Sequence, residues 1–352
     1  MKALRWYGQR DLRIEEVPVP SPGAGEVKIK VKWCGICGTD LHEYRDGPVL
    51  VPAKRPHPLT GKQVPVVLGH EFSGDIVEVG SGVTGFSVGD RVTVNPLLVC
   101  HNCFWCRQGR YNECAMLATI GLGADGAFAE YVIAPDYGCY KLPPEISYEM
   151  AALTEPLAVL VRAGKRGGIS LGDSVAIIGA GPIGLLALEV AKAAGAGKVF
   201  VIEPISARRE IAKKLGATAV YDPMEVDAGK EIAKLTDGLR ADVTIECVGS
   251  APTILLALRV SRRAGRIVLV GIAVKPVEFP FDSLLWAEKE LIPVQGYVDE
   301  YPAAISLLAS GKIDSDTLIT DKIKLDDIVE KGFKLLDSEQ TVEHIKILVS
   351  PE

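Results

Sequence analysis

The stretch Ser174-Val-Ala-Ile-Ile-Gly179-Ala-Gly181-Pro182-Ile183-Gly184 decides the fold of the second half of the chain. A short apolar run reads as a buried strand, glycines follow in the order GxGxxG, and an amphipathic helix continues to Ala194. The next strand, Lys198-Val-Phe-Val-Ile, ends on Glu203, 19 residues beyond Gly184. A bare GxGxxG is a weak signal, but strand, glycine turn, helix, strand and acid in that order make a dinucleotide fingerprint. Gly179 permits the tight turn, Gly181 lets a pyrophosphate approach the backbone, and Gly184 lets helix and strand pack closely. The phosphates then meet the free N–H groups of the helix N-terminus. Glu203 is placed to accept hydrogen bonds from the adenine ribose and to repel a 2′-phosphate, which favours NAD over NADP. Arg208 and Arg209 are the opposing signal, because an arginine can receive that phosphate.

Outward from this stretch, helix and strand alternate as far as the strand Arg266-Ile-Val-Leu-Val270, which predicts a doubly wound parallel sheet. Ligands of such sheets sit beyond the carboxyl ends of the strands, so Val248, Gly249, Gly271 and Ile272 are expected near a nicotinamide. Cys247 reads as buried strand. After Trp286 the pattern thins to a strand Ile292-Pro-Val-Gln-Gly296, helices near 302–309 and 326–336, and a last strand over 345–349. This tail is assigned to the other domain. The expected organisation is therefore α/β, with a coenzyme domain over 157–290 and a mostly β domain made of 1–156 and 291–352.

Composition narrows the function classes. With 48% apolar and 24% charged residues the chain is an ordinary globular protein, and 352 residues suffice for two cores. The net charge of −6, with no basic block, argues against a nucleic-acid partner. No apolar window reaches the roughly 18–20 residues of a membrane span. The opening MKALRWYGQRDLRIEE lacks the apolar run of a secretory leader, so a cytoplasmic location is expected. Eight cysteines in a reducing compartment then point to metal or catalysis rather than disulfides.

In the first half, residues 27–32 alternate lysine with apolar residues, as in a sheet with one wet face. Cys34 and Cys37 form a CxxC without a redox-motif context; Cys37 suits a zinc ligand, and Cys34 a small buried hydrophobe. Residues 47–65 form a proline-rich loop expected to be the lip of a cleft, with His57 solvated in it. Residues 66–83, VVLGHEFSGDIVEVGSGV, set His70 and Glu71 between two strands, a rigid setting of the kind a metal ligand needs. The spacing Cys100-x2-Cys103-x2-Cys106-x7-Cys114 matches a closed tetrahedral zinc site. His101 and Trp105 between these ligands are expected to pack or face solvent. Cys139 reads as structural. Glu155, flanked by apolar residues before Pro156, is expected to be buried and paired, for instance with a metal.

With these pieces in place the chain resembles the zinc-containing medium-chain alcohol dehydrogenases over essentially its whole length. GHEFSGDIVEVGSGV is similar to that family's zinc signature, the four-cysteine lobe to its structural zinc site, and GAGPIG to its coenzyme turn, Pro182 and Ile183 included. The resemblance implies a GroES-like catalytic domain beside the Rossmann domain. It also implies two zinc ions per chain and NAD as coenzyme. Cys37, His70 and Glu155 then correspond to the catalytic zinc ligands, with Glu71 able to enter the shell. Thr39 corresponds to the hydroxyl touching the substrate oxygen and His42 to the outer member of a proton relay. Glu155 stands where simple-alcohol enzymes place a cysteine, which is similar to the polyol branch of sorbitol and butanediol dehydrogenases and favours oxygen ligands. The insertion after HEYRDGP and the ending KILVSP look more like the butanediol enzymes. The implied substrate is a small vicinal diol or its hydroxyketone, such as 2,3-butanediol and acetoin, or acetoin and diacetyl. Tyr44, two residues past His42, is expected to line the pocket. Sorbitol, another polyol or a secondary alcohol is the alternative substrate. A zinc-free quinone or enoyl reductase predicts no ligand set, and a non-enzymatic nucleotide-binding protein predicts an eroded one. The resemblance further implies a homodimer or homotetramer.

Overall fold

Strand Glu26–Gly35 is the spine of the first unit. Val27, Ile29 and Val31 are buried while the intervening lysines stay partly exposed, so the alternation does produce one wet face. Its neighbours are antiparallel: Glu71–Val79 on one edge, and Tyr131–Pro135 and Lys346–Ser350 along the other. The sheet runs in the order Cys139–Lys141, Arg91–Val94, Glu71–Val79, Glu26–Gly35, Lys346–Ser350, Ile319–Lys324. A smaller sheet of Asp11–Glu16, Lys2–Gly8 and Val66–Val67 accompanies it. Trp6, Ile29, Phe72, Ile76, Phe128 and Phe333 belong to one buried cluster. Each such side chain removed from water contributes about 1.5–3 kcal/mol before entropy is counted.

The computed structural model describes residues 1–338 and 343–352. They fall into two compact units, Met1–Glu155 with Ala304–Ala309 and Ile319–Glu352, and Pro156–Ala303 with Ser310–Leu318. The second unit is built on six parallel strands in the order Ala219–Tyr221, Lys198–Ile202, Ser174–Ile178, Ala241–Glu246, Ser261–Leu269, Glu290–Pro293. The order reverses between Ser174–Ile178 and Ala241–Glu246, the switch point at which such sheets bind ligands.

The tail after Trp286 departs from expectation. Its strand is Glu290–Pro293, paired in parallel with Ser261–Leu269, so it closes the second unit's sheet instead of joining the first. Pro293 lies at the end of this edge strand, where a missing N–H is tolerated.

Candidate active site

The register of three strands assembles the first cluster. Gly35 pairs with Glu71 on one side and with Leu348 on the other. Counting back and forward along those antiparallel ladders brings Cys37, His70 and Lys346 to the same end of the sheet. Gly69, at φ +96°, makes the turn into His70; a Cβ there would meet Phe128 N at 2.8 Å and Cys34 Sγ at 2.9 Å. The sequence reading assigned no element after Cys37, but a helix, Gly38–Asp46, starts there with Cys37 as its N-cap. This helix sets Thr39 and His42 three residues apart, on one face.

One ligand atom each of Cys37, His70 and Glu71 lies within 4.8 Å of the others. Glu155 is buried in the first turn of helix Thr154–Gly167, outside that trio. Its charge is felt by Lys346. Thr39 Oγ1 lies 3.6 Å from Cys37 Sγ. His42 is partly exposed, with Nδ1 3.9 Å from Asp46 Oδ2. Tyr44 packs into the core against Phe333, ring centroids 5.6 Å apart, and Arg10 lies over its face.

Two residues the sequence reading passed over organise this cluster. Asp40, wholly buried, accepts the Cys37 N–H at 3.0 Å and sets Oδ1 3.5 Å from His70 Nδ1. That leaves the other imidazole nitrogen for a metal, the usual carboxylate–histidine–metal arrangement. Burial disfavours a charged His70, but Asp40 and Cys37 outweigh it and raise its pKa well above the ordinary value. Burial, with Glu71, pushes the Cys37 thiol up, and His70 pulls it back. Lys346, also buried, donates to Glu71 Oε2 and to the carbonyl of Ile36 at 3.1 Å. Glu71 Oε1 is buried and accepts no hydrogen bond from the described residues. A thiol, an imidazole and a carboxylate with an unused oxygen, converging out of water, fit a borderline cation such as zinc. No local pattern in the sequence marks either residue, because Asp40 depends on a helix starting at Cys37 and Lys346 on the register of its strand.

The second cluster is Cys100, Cys103, Cys106 and Cys114, all unbridged and mutually within 4.8 Å. Their sulfurs stand 3.5 Å apart for Cys114 and Cys100, and 4.0 Å for Cys100 and Cys106. Tetrahedral zinc at about 2.3 Å from each sulfur would space them by about 3.8 Å, so the set fits. Backbone amides point at the sulfurs: Cys103 N to Cys100 at 3.4 Å and Cys106 N to Cys103 at 3.5 Å. The amides of Ala115 and Cys106 bring the Cys103 thiol down to about 6, whereas burial takes Cys106 up to about 12. His101 packs edge-on against Tyr137, and Trp105 lies under Arg110. His57 is not a solvated loop residue. Its Nδ1 accepts the Leu59 N–H at 3.2 Å and its Nε2 lies 3.1 Å from the Leu117 carbonyl, tying the proline-rich loop to the segment after Cys114.

In the second unit Gly179 takes φ +95°, and Gly181 caps helix Pro182–Ala193 with Pro182 in its first turn and Ile183 and Gly184 following. The buried Glu203 accepts from Ala180 N at 2.7 Å and from Ile205 N at 2.9 Å, so it braces the glycine turn. Arg209 is committed to Asp222 and to the carbonyls of Glu203 and Pro204. Arg208, one residue earlier, follows the start of helix Ser206–Lys214. Val248 and Ile272 are exposed at the carboxyl ends of the strands, and Gly271 lies against Gly249.

A GroES-like alcohol dehydrogenase domain matches residues 23–144 and a zinc-binding dehydrogenase domain residues 182–310. The chain belongs to the zinc-dependent medium-chain alcohol dehydrogenase family, and it is an oxidoreductase that uses zinc and a nicotinamide dinucleotide. It is 44% identical to the (R,R)-butanediol dehydrogenase of Bacillus subtilis over 352 residues, all of both chains. It is 38% identical to the sorbitol dehydrogenase of Halalkalibacterium halodurans, covering 100% of this chain and 99% of that one. The crystal structure of the 2R,3R-butanediol dehydrogenase of Bacillus subtilis superposes with a TM-score of 0.94 at 43% identity, covering 100% of this chain and 99% of that chain.

Proposed function

We propose that this enzyme interconverts a small vicinal diol and its hydroxyketone, 2,3-butanediol and acetoin, with NAD. The observation that carries the reading is the carboxylate pair. Glu155 gives the catalytic cluster a hard ligand, and Glu71 is tethered by Lys346 through one oxygen, leaving the other without a partner among the described residues. A diol has a second hydroxyl for such an oxygen; a monohydric alcohol does not, and leaves it unpaired. Similarity to butanediol dehydrogenases over the full length supports the same choice.

Cys37, His70 and Glu155 would hold the catalytic zinc, and Glu71 is the neighbour able to join them. Zinc held there would supply Lewis acidity toward the substrate hydroxyl. Thr39 receives the hydroxyl proton and His42, further along the same helix face, passes it to solvent. Asp40 holds the His70 ring in its ligating orientation. In the coenzyme unit, Glu203 and the turn at Gly179–Gly184 seat NAD, with Arg208 beside them and Val248, Gly271 and Ile272 at the nicotinamide end. The four-cysteine lobe holds the structural zinc.

The assembly we infer is a homodimer or homotetramer in the cytoplasm. Strand Glu290–Pro293 is an open edge, and Phe281, Leu285 and Trp286 beside it are each at least 70% exposed. A second copy pairing there about a two-fold axis covers both. Among the described residues no helix is long and apolar enough to cross a membrane.

The test is NADH formation from 2,3-butanediol before and after chelation. Activity should fall with the catalytic zinc and return with added zinc. Full turnover by protein shown to be free of metal would refute the reading.

A further inference from the structure

Glu246 ends strand Ala241–Glu246, beside the point where the strand order reverses. Its side chain is wholly buried, and main-chain amides satisfy it. Val248 N–H donates to Oε1 at 2.9 Å, and Gly249 N–H to Oε1 at 2.9 Å and Oε2 at 3.1 Å. The residue's own carbonyl accepts from Val270 N at 2.9 Å and Gly271 N at 3.0 Å. One residue thus grips the segments that follow two adjacent strands.

The arrangement has no slack. A Cβ on Gly271 would meet Glu246 Oε2 at 2.7 Å, and one on Gly249, at φ +79°, would meet Ile272 N at 2.6 Å. On top of this support Val248 and Ile272 are each 47% exposed although apolar. Val248 also reaches the phosphate turn, since a Cβ on Gly179 would meet its Cγ2 at 2.6 Å. Burying a carboxylate is costly, and a glutamine would pack as well. Only a carboxylate, however, presents two oxygens and no N–H to converging amides.

We propose that Glu246 is the positioning residue for the nicotinamide half of the coenzyme. It fixes the backbones of Val248–Gly249 and Gly271–Ile272, so that their apolar side chains form a preset seat for the flat ring. This rests on the coenzyme reading of the second unit given above. Glu246 touches no reacting atom.

The experiment uses the full-length, zinc-loaded protein and calorimetric titration with NADH and with ADP-ribose, which keeps the adenine, riboses and pyrophosphate but lacks the ring. Glu246→Gln should raise the Kd for NADH about tenfold, the loss expected for one charge-assisted hydrogen bond. The Kd for ADP-ribose should not move. Equal weakening of both ligands, or of neither, overturns the assignment. Should Glu246→Gln fail to fold, Gly271→Ala presses on the same amides from the other segment and must show the same selective loss; loss of both ligands there overturns it as well. If the unsubstituted protein binds neither ligand, the coenzyme reading itself is wrong and this proposal falls with it.

Discussion

Lys346 and Glu71 form an ion pair shut away from water, with side-chain exposures of 3% and 1%. Gly35 makes room for it, because a Cβ there would meet Lys346 Cε at 2.8 Å. Burial works against the lysine's charge, yet Glu71, Cys37 and Glu155 around it raise its pKa. Removing one partner of such a pair leaves the other uncompensated. Lys346→Met should therefore cost about 3–5 kcal/mol in urea unfolding, and adding Glu71→Gln should recover part of it. A Lys346→Met protein as stable as its parent would show that the pair carries no structural weight.

The two metal clusters should separate by mutation. Cys103→Ser should lower the melting temperature and remove one of two zinc ions, because the lobe around the four cysteines has little apolar core of its own. Cys37→Ser should leave the fold standing and abolish turnover. Metal analysis beside a thermal melt of each variant decides it; unchanged zinc content and melting temperature in Cys103→Ser would overturn the structural assignment.

Coenzyme choice should depend on Glu203 and not on Arg209. Glu203→Ala removes both the repulsion of a 2′-phosphate and the acceptor that braces Ala180 N. It should narrow the preference for NAD over NADP and weaken both coenzymes. Arg209→Ala breaks the link to Asp222 and should lower stability without changing the preference. Equal specificity constants for NAD and NADP in the unsubstituted protein would contradict this.

The glycine turn and the four cysteines were legible in the sequence because local spacing alone defines them. His70 and Glu71 were legible as a pair. Lys346 and Asp40 were not assigned, since their roles depend on strand register and on a helix starting at Cys37, neither of which a local pattern announces. His57 was misread for a related reason: its partner, Leu117, is 60 residues away. The strand Glu290–Pro293 was given to the wrong unit because its partner, Ser261–Leu269, is set by pairing across the sheet, which a short run without a local repeat does not announce.

Glu189 should make stability pH-dependent. Burial, aided by the charge of Asp314, raises its pKa to about 7, while the Asp314 N–H donates to Oε1 at 2.7 Å and Oε2 has no partner among the described residues. The folded state keeps this proton to about 7 and the unfolded chain loses it near 4.5. Stability therefore falls as pH rises through that window. Glu189→Gln, neutral throughout, should match the parent near about pH 4 and exceed it in melting temperature near about pH 8. A constant offset between the two proteins across that range would remove Glu189 as the cause.

The most direct test of the diol reading compares specificity constants for 2,3-butanediol, 2-butanol and sorbitol at saturating NAD. A site that pairs a second hydroxyl with a buried carboxylate should disfavour an analogue lacking it by leaving that group unpaired. The expected result is 2,3-butanediol far above both others. A higher value for 2-butanol would contradict the role given to the second hydroxyl, and a higher value for sorbitol would move the enzyme to the neighbouring polyol group.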